Sequence, residues 1–203
     1  MAKPMDNPGT REQILRAALK RFAHAGYAAT SVQQIVGDAK VSKPTLYYYF
    51  RDKAALFQAL VSEALEERYR IVREAAGRAE GLRGQLTEIL VVLFDYFDRN
   101  RDLIRISFAT MFAAPGEVPP GLRYLDQCER NFEFVHSLMK RALKNSELDD
   151  HFDSRQLAFG FYGQANMYLM SHLIMPGCRL DRQTAGSIVD LFLAGAAPKK
   201  GRP

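Results

Sequence analysis

Residues 30–50 read TSVQQIVGDAKVSKPTLYYYF, from Thr30 to Phe50, and this stretch decides the fold. Thr30 is a good N-cap residue and Gln33 stands three places on, so the pair predicts a capping box that opens a helix. Val32, Ile35, Val36 and Ala39 follow at helical spacing and give that helix one apolar face. Asp38 to Lys40 is too short to be a loop, so the chain must turn sharply there. Ser42 then caps a second helix, and Pro44 sits in its first turn, where a missing N–H matters little. Val41, Leu46 and Phe50 point back to the core, which leaves Lys43, Thr45, Tyr47 and Tyr48 facing outward.

That outward face is unusual for a solvated surface. Two neighbouring tyrosines, a lysine and a threonine offer donors, one cation and flat apolar bodies. Such groups suit phosphate oxygens, base edges and thymine methyls. An ordinary helical hairpin with exposed tyrosines is the plainer alternative, and this stretch alone leaves it open. Charge adds weight to the first reading. Residues 1–53 hold nine Lys/Arg and four acids, a surplus that equals the whole net charge of +5. A small basic reader on a neutral body is the electrostatic footprint of a DNA-binding protein.

The run from Ile14 to Leu60 resembles the DNA-binding helix-turn-helix of the TetR family of bacterial transcriptional regulators. The resemblance is carried by Phe22, Gly26-Tyr27, Thr30-Ser31-Val32, Ile35, Val41 to Phe50, Asp52-Lys53 and Leu56. Lys40 departs from it, since the family usually has glycine in that turn and a lysine adopts the left-handed conformation only with strain. Gly37, inside the first of the two helices, is a second departure and costs about 1 kcal/mol relative to alanine. Position by position, the resemblance implies that Gln33, Lys43, Pro44 and Thr45 approach base edges, and that Ser31, Tyr47, Tyr48 and Lys53 hold phosphates.

Around this reader the pattern is helical throughout, and the expected fold is all-α. Residues 1–9 read as a disordered tail. Thr10 and Gln13 suggest another capping box, before an amphipathic helix that Gly26 closes. Ile14, Ala18, Phe22, Ile35, Leu46 and Phe50 can share a small core. Residues 10–53 thus form a three-helix DNA-binding domain, with the helix-turn-helix at 31–50. Asp52 caps a long helix near 53–78 that joins the reader to a larger helical domain, 54–197, for ligand binding and dimerisation. Further helices are predicted near 82–99, 101–113, 120–145, 154–175 and 181–196. A basic tail, 198–203, ends the chain.

The body carries two constellations. Tyr96, Phe108, Met111, Phe132, His136, Tyr162, Asn166 and His172 are aromatic, sulfur-bearing or polar residues on helical patterns. Most such stripes are plain core, but Tyr162, Asn166 and His172 are more polar than a core requires. A pocket with these features suits a small, largely apolar or aromatic ligand, and the family implies an inducer pocket in this domain. The second constellation is the last two helices. Gly160 and Gly163 allow close helix approach, and Ile188, Leu191 and Phe192 help make the last helix apolar on more than one side. That surplus suggests burial against another subunit; the alternative is that both helices are internal core. The family implies a homodimer built from these two helices.

Other classes of function find little support. No phosphate-binding loop, dinucleotide fingerprint, zinc-protease motif or nucleophile elbow occurs. No catalytic residue, metal or cofactor is expected. Ser137 and Lys140 match Ser-x-x-Lys by chance. Glu147, Asp149, Asp150, His151 and Asp153 read as a solvated loop before a helix cap rather than a metal site. Cys128 and Cys178 form no redox motif, and no apolar run is long enough to span a membrane. The expectation is a cytoplasmic homodimer that binds a palindromic operator in double-stranded DNA, acting as a repressor that a small-molecule inducer releases. A helical small-molecule-binding protein or enzyme with a vestigial DNA reader is the alternative.

Overall fold

Ile14, Ala18, Ile35 and Leu46 are fully buried, and Phe22 and Phe50 nearly so, which is the small core the spacing of the first three helices predicts. The computed structural model describes residues 8–122, 124–175 and 177–196. Among them the chain forms nine α-helices and no strand: α1 Pro8–Ala29, α2 Val32–Asp38, α3 Lys43–Tyr49, α4 Lys53–Gly77, α5 Gly81–Arg99, α6 Arg101–Met111, α7 Tyr124–Lys144, α8 Ser154–Ile174 and α9 Arg182–Ala196. The fold is therefore all-α, as expected. The tails expected at 1–9 and 198–203 lie outside the described residues, except that Pro8 and Gly9 open α1 ahead of the cap expected at Thr10.

Several boundaries move for local reasons. Gly26 does break the first helix, with φ 79° and ψ 167°, but a further helical stretch continues to Ala29 beyond that kink. Thr30 is buried and its hydroxyl donates to the Gly26 carbonyl at 2.7 Å. Thr30 is thus engaged with the kink, and Ser31 takes the N-cap of α2. The capping box pairs Ser31 with Gln34 instead of Thr30 with Gln33. In the same way α7 begins at Tyr124, not near residue 120, because Gly121 holds a positive φ of 74° just before it.

The described chain packs as two units. One comprises the residues up to Leu65 together with Asn100–Tyr124; the other comprises Glu66–Arg99 and the residues from Leu125 onward. In the first unit α1 packs against α2, α3 and α6. Placing α6 with the reader differs from the expected division after residue 53. In the second unit α5 packs on α9 and α8, and α8 packs on α9. Its core includes Leu86, Ile89, Leu90, Phe94, Met139, Phe161 and Ile188, all almost fully buried. Each such side chain contributes about 1.5–3 kcal/mol of burial. Arg83 with Asp190 and Arg182 with Glu88 add paired hydrogen bonds from α5 to the last helical segment.

Candidate nucleic-acid interface

Two serine caps define the reader. Ser31 Oγ accepts from the Gln34 amide, and the Gln34 side chain returns to the Ser31 amide at 2.8 Å. Ser42 Oγ accepts from the Thr45 amide at 3.2 Å and lies 2.8 Å from the Thr45 hydroxyl, with Pro44 in the first turn. The turn between them closes through Lys40, whose φ is +51°. The Val41 amide donates to the Val36 carbonyl and the Lys40 amide to the Gly37 carbonyl. This is a Schellman arrangement with lysine in the position glycine usually holds.

Leu46 is fully buried under α3 and Phe50 closes its end, so the opposite face is held outward. Lys43 and Pro44 are exposed, Thr45 is half-buried, and Tyr47 and Tyr48 each keep 49% of their surface. Tyr48 packs edge-on to Tyr49 at 5.0 Å between ring centroids, which limits its swing. Gln33 and Ser31 are exposed on α2 and its cap. Seven of the eight residues expected at DNA therefore stand on the outer side of α2, α3 and their caps.

Lys53, the eighth, has other partners. Its ammonium donates to the carbonyls of Tyr27 and Thr30, both at 2.8 Å, and lies 4.2 Å from the centroid of the Tyr27 ring. The carbonyls that end α1 lack helical partners, and a cation there is favourable. Burial draws the Lys53 pKa below the usual lysine range. Other basic residues of the reader are also paired: Arg11 with Glu63, and Arg21 with Asp38 through two hydrogen bonds of 2.6 and 2.7 Å. Arg16, Lys20 and Lys40 share an open recess beside Asp38 and Asp102. That basic edge has no local signature in the sequence, because Arg16 and Lys20 come from α1 and Lys40 from the turn after α2.

The residues expected to line a ligand pocket divide between the two units. Phe108 and Met111 lie on α6 in the first unit, and Met111 is 46% exposed. In the second unit Tyr162 and Asn166 line a cavity of about 30 Å³ between α4, α5, α7 and α8. The Tyr162 hydroxyl donates to the Asn131 carbonyl at 2.8 Å, and burial pushes its pKa up to about 12. Tyr96 is largely buried and is likewise pushed up to about 12, by desolvation. Phe132 stacks near His136, Phe159 and Tyr162. His136 is buried between Glu133, at 3.0 Å, and Ser154, at 2.9 Å. His172 meets the Cys178 carbonyl and Asp98. A larger cavity, about 320 Å³, lies in the first unit among Phe22, Tyr27, Phe57, Ile106 and Thr110. No local sequence pattern announces it, since three separated segments build it.

The expected dimer residues also divide. Gly160, Gly163 and Leu191 are exposed, Leu191 at 63%. Ile188 and Phe192 are instead buried within the chain, Phe192 lying 5.7 Å from the Phe161 ring. Their side of α9 faces the chain's own core. Phe159 and Met167, neither of which was expected at the dimer face, are more than half exposed on α8. Among the described residues no group of three or more His, Cys, Asp or Glu is placed to hold a metal. Glu147 accepts from the Leu82 amide, and Asp153 caps α8. Nor is any described helix long and apolar enough to cross a membrane.

A buried-anchored second helix, presented outward beside a tight capped turn, defines a helix-turn-helix DNA-binding protein. Residues 14–60 match the family described as bacterial regulatory proteins, tetR family. YdgC, an HTH-type transcriptional regulator of Bacillus subtilis, is 25% identical over 199 residues, 94% of each chain. YuxN of the same organism is 26% identical over 147 residues, 72% of this chain and 45% of that protein. This chain spans about half the length of several curated relatives that it matches. Among solved structures, the transcriptional regulator FadR from Bacillus subtilis in complex with stearoyl-CoA shares 17% identity. It has a TM-score of 0.76 over 91% of this chain and 98% of that one. Residues 14–60 of this chain thus carry a tetR-family helix-turn-helix, and the chain as a whole is similar to HTH-type transcriptional regulators.

Proposed function

We propose that this regulator is a ligand-released repressor that binds a palindromic operator as a homodimer. Its reading contacts are Gln33, Lys43, Pro44 and Thr45 at base edges, with Ser31, Tyr47 and Tyr48 on the flanking phosphates. The observation that carries this is the outward face of α3, where exposed Lys43, Tyr47 and Tyr48 stand opposite fully buried Leu46. Lys43 suits the O6 and N7 acceptors of guanine, and the Pro44 ring or Thr45 methyl suits a thymine methyl. Two copies would address half-sites about one helical turn apart, roughly 34–36 Å, or somewhat more.

The second unit supplies the ligand response in this reading. Its support is the cavity beside Tyr162 and Asn166 and the stearoyl-CoA held by the FadR structure of the same fold. Ligand binding favours a dimer state whose readers no longer match the operator spacing, by an amount limited to the ligand's differential affinity for the two states. The test is a binding titration of Lys43→Ala on the operator and its single-base variants. The variant is expected to lose about 1–3 kcal/mol on the preferred site and to discriminate less at one position. An unchanged ranking of operator variants would remove Lys43 from the base contacts.

A further inference from the structure

The cavity between α4, α5, α7 and α8 has apolar walls, including Val72, Leu93, Phe161 and Leu169, and one cationic side chain, Arg68. No acid lines it. Among the described residues Arg68, which is half-buried, has no hydrogen-bond or ion-pair partner. The acids beside it on α4 are committed elsewhere: Glu66 to Arg130, and both oxygens of Glu67 to Arg70. The charge of Arg68 reaches into the cavity, where it opposes the burial that pushes up the Tyr162 hydroxyl. Asn166 is exposed and also lines the cavity, so the site has a polar mouth.

A guanidinium against apolar walls is more weakly hydrated than an ammonium, and its planar fork matches the two oxygens of a carboxylate. Resting on the reading that the second unit holds the ligand, we propose that Arg68 anchors the carboxylate of an amphipathic acid whose apolar body enters this cavity. The volume present, about 30 Å³, is room for roughly one water. The apolar body must therefore part the walls, and head-group capture supplies attraction before they part. Arg68 stands on α4, the helix that begins at Lys53 in the reader. Binding at Arg68 thus acts directly on an element that both units share.

The test is calorimetry of the full chain with four probes: octanoate, octan-1-ol, 4-butylbenzoate and 4-butylbenzyl alcohol. At least one acid should bind about tenfold or more tightly than its matched alcohol, the difference made by a charge-assisted pair. Arg68→Met, which keeps the stem, should abolish that preference, and Arg68→Lys, which keeps the charge without the fork, should reduce it. Circular dichroism of both variants shows whether they fold; if the methionine variant does not, the lysine variant carries the comparison. Equal affinity for acid and alcohol, a preference that survives both substitutions, or binding of none of the four probes would each overturn the proposal. Operator binding by the ligand-free chain is measured in parallel. Intact operator binding beside any of those results overturns the anchor alone and leaves the DNA reader standing.

Discussion

Lys53 donates its ammonium to the backbone carbonyl of Tyr27 at 2.8 Å while standing 4.2 Å from the centre of the same residue's ring. With the second bond to Thr30, this fastens the end of α1 to the first turn of α4. We propose that a charge so engaged sets the geometry of the reader and does not serve a phosphate. Lys53→Met should therefore weaken binding to all duplexes while leaving the salt slope of binding unchanged. It should also lower stability by about 1.5–3 kcal/mol, the range for hydrogen bonds that involve a charged group. Anisotropy titrations across salt, with a thermal melt, check both. A salt slope reduced by about one per protomer would return Lys53 to the phosphate contacts.

Arg21 and Asp38 join α1 to the end of α2. The Arg21 hydrogen bonds, then its charge, hold the Asp38 carboxyl below the usual carboxylate range against the opposing effect of burial. A folded-state pKa below the unfolded value, about 3.9, makes this contribution complete above that value. It is lost as pH falls through the folded value. The melting-temperature gap between the wild type and Asp38→Asn should thus narrow from about pH 5 to about pH 2. A gap that widens in acid would show that the pair does not act this way.

Lys40 occupies the left-handed position of the turn, at φ 51°. The strain of a side chain there is about 1–2 kcal/mol, whereas glycine's extra unfolded-state freedom costs about 0.5–1 kcal/mol. Lys40→Gly should therefore raise stability by about 0.5–1 kcal/mol, read from chemical denaturation. A destabilised variant would mean that the lysine side chain supplies compensating contacts.

Leu191 is 63% exposed on α9, so a glutamate there disturbs little within one protomer. If α8 and α9 form the dimer face, Leu191→Glu should sediment as a folded monomer and bind the operator far more weakly. A variant that remains dimeric at the same concentrations would move the interface elsewhere.

The reader was legible because its determinants are local. Ser42, Pro44, Leu46 and Phe50 mark cap, first turn and core within one short segment, and the structure agrees with each. Thr30 and Ser31 show where local information stops. Both are good caps and each has a glutamine three places on. The choice falls to Ser31 because the kink at Gly26 gives the Thr30 hydroxyl a carbonyl to meet. Lys53 was read outward for a related reason: the carbonyls it meets lie 23 and 26 residues earlier, at the end of α1. In α9 the apolar surplus was visible, but not which side meets the chain's own core; Ile188 and Phe192 took that side and Leu191 did not. Arg68 sits in the run Glu66-Glu67-Arg68-Tyr69-Arg70, which reads as a solvated face. Only the pairing of its neighbours sets it apart.

The most direct measurement is a selection of duplexes from a random pool by the full chain, followed by anisotropy titrations of the enriched sequence at several salt concentrations. The predicted result is a palindromic site bound in strong preference to a scrambled duplex, with affinity falling steeply as salt rises. A pool that stays unenriched, or binding indifferent to salt, would contradict the assignment of the α3 face to operator DNA.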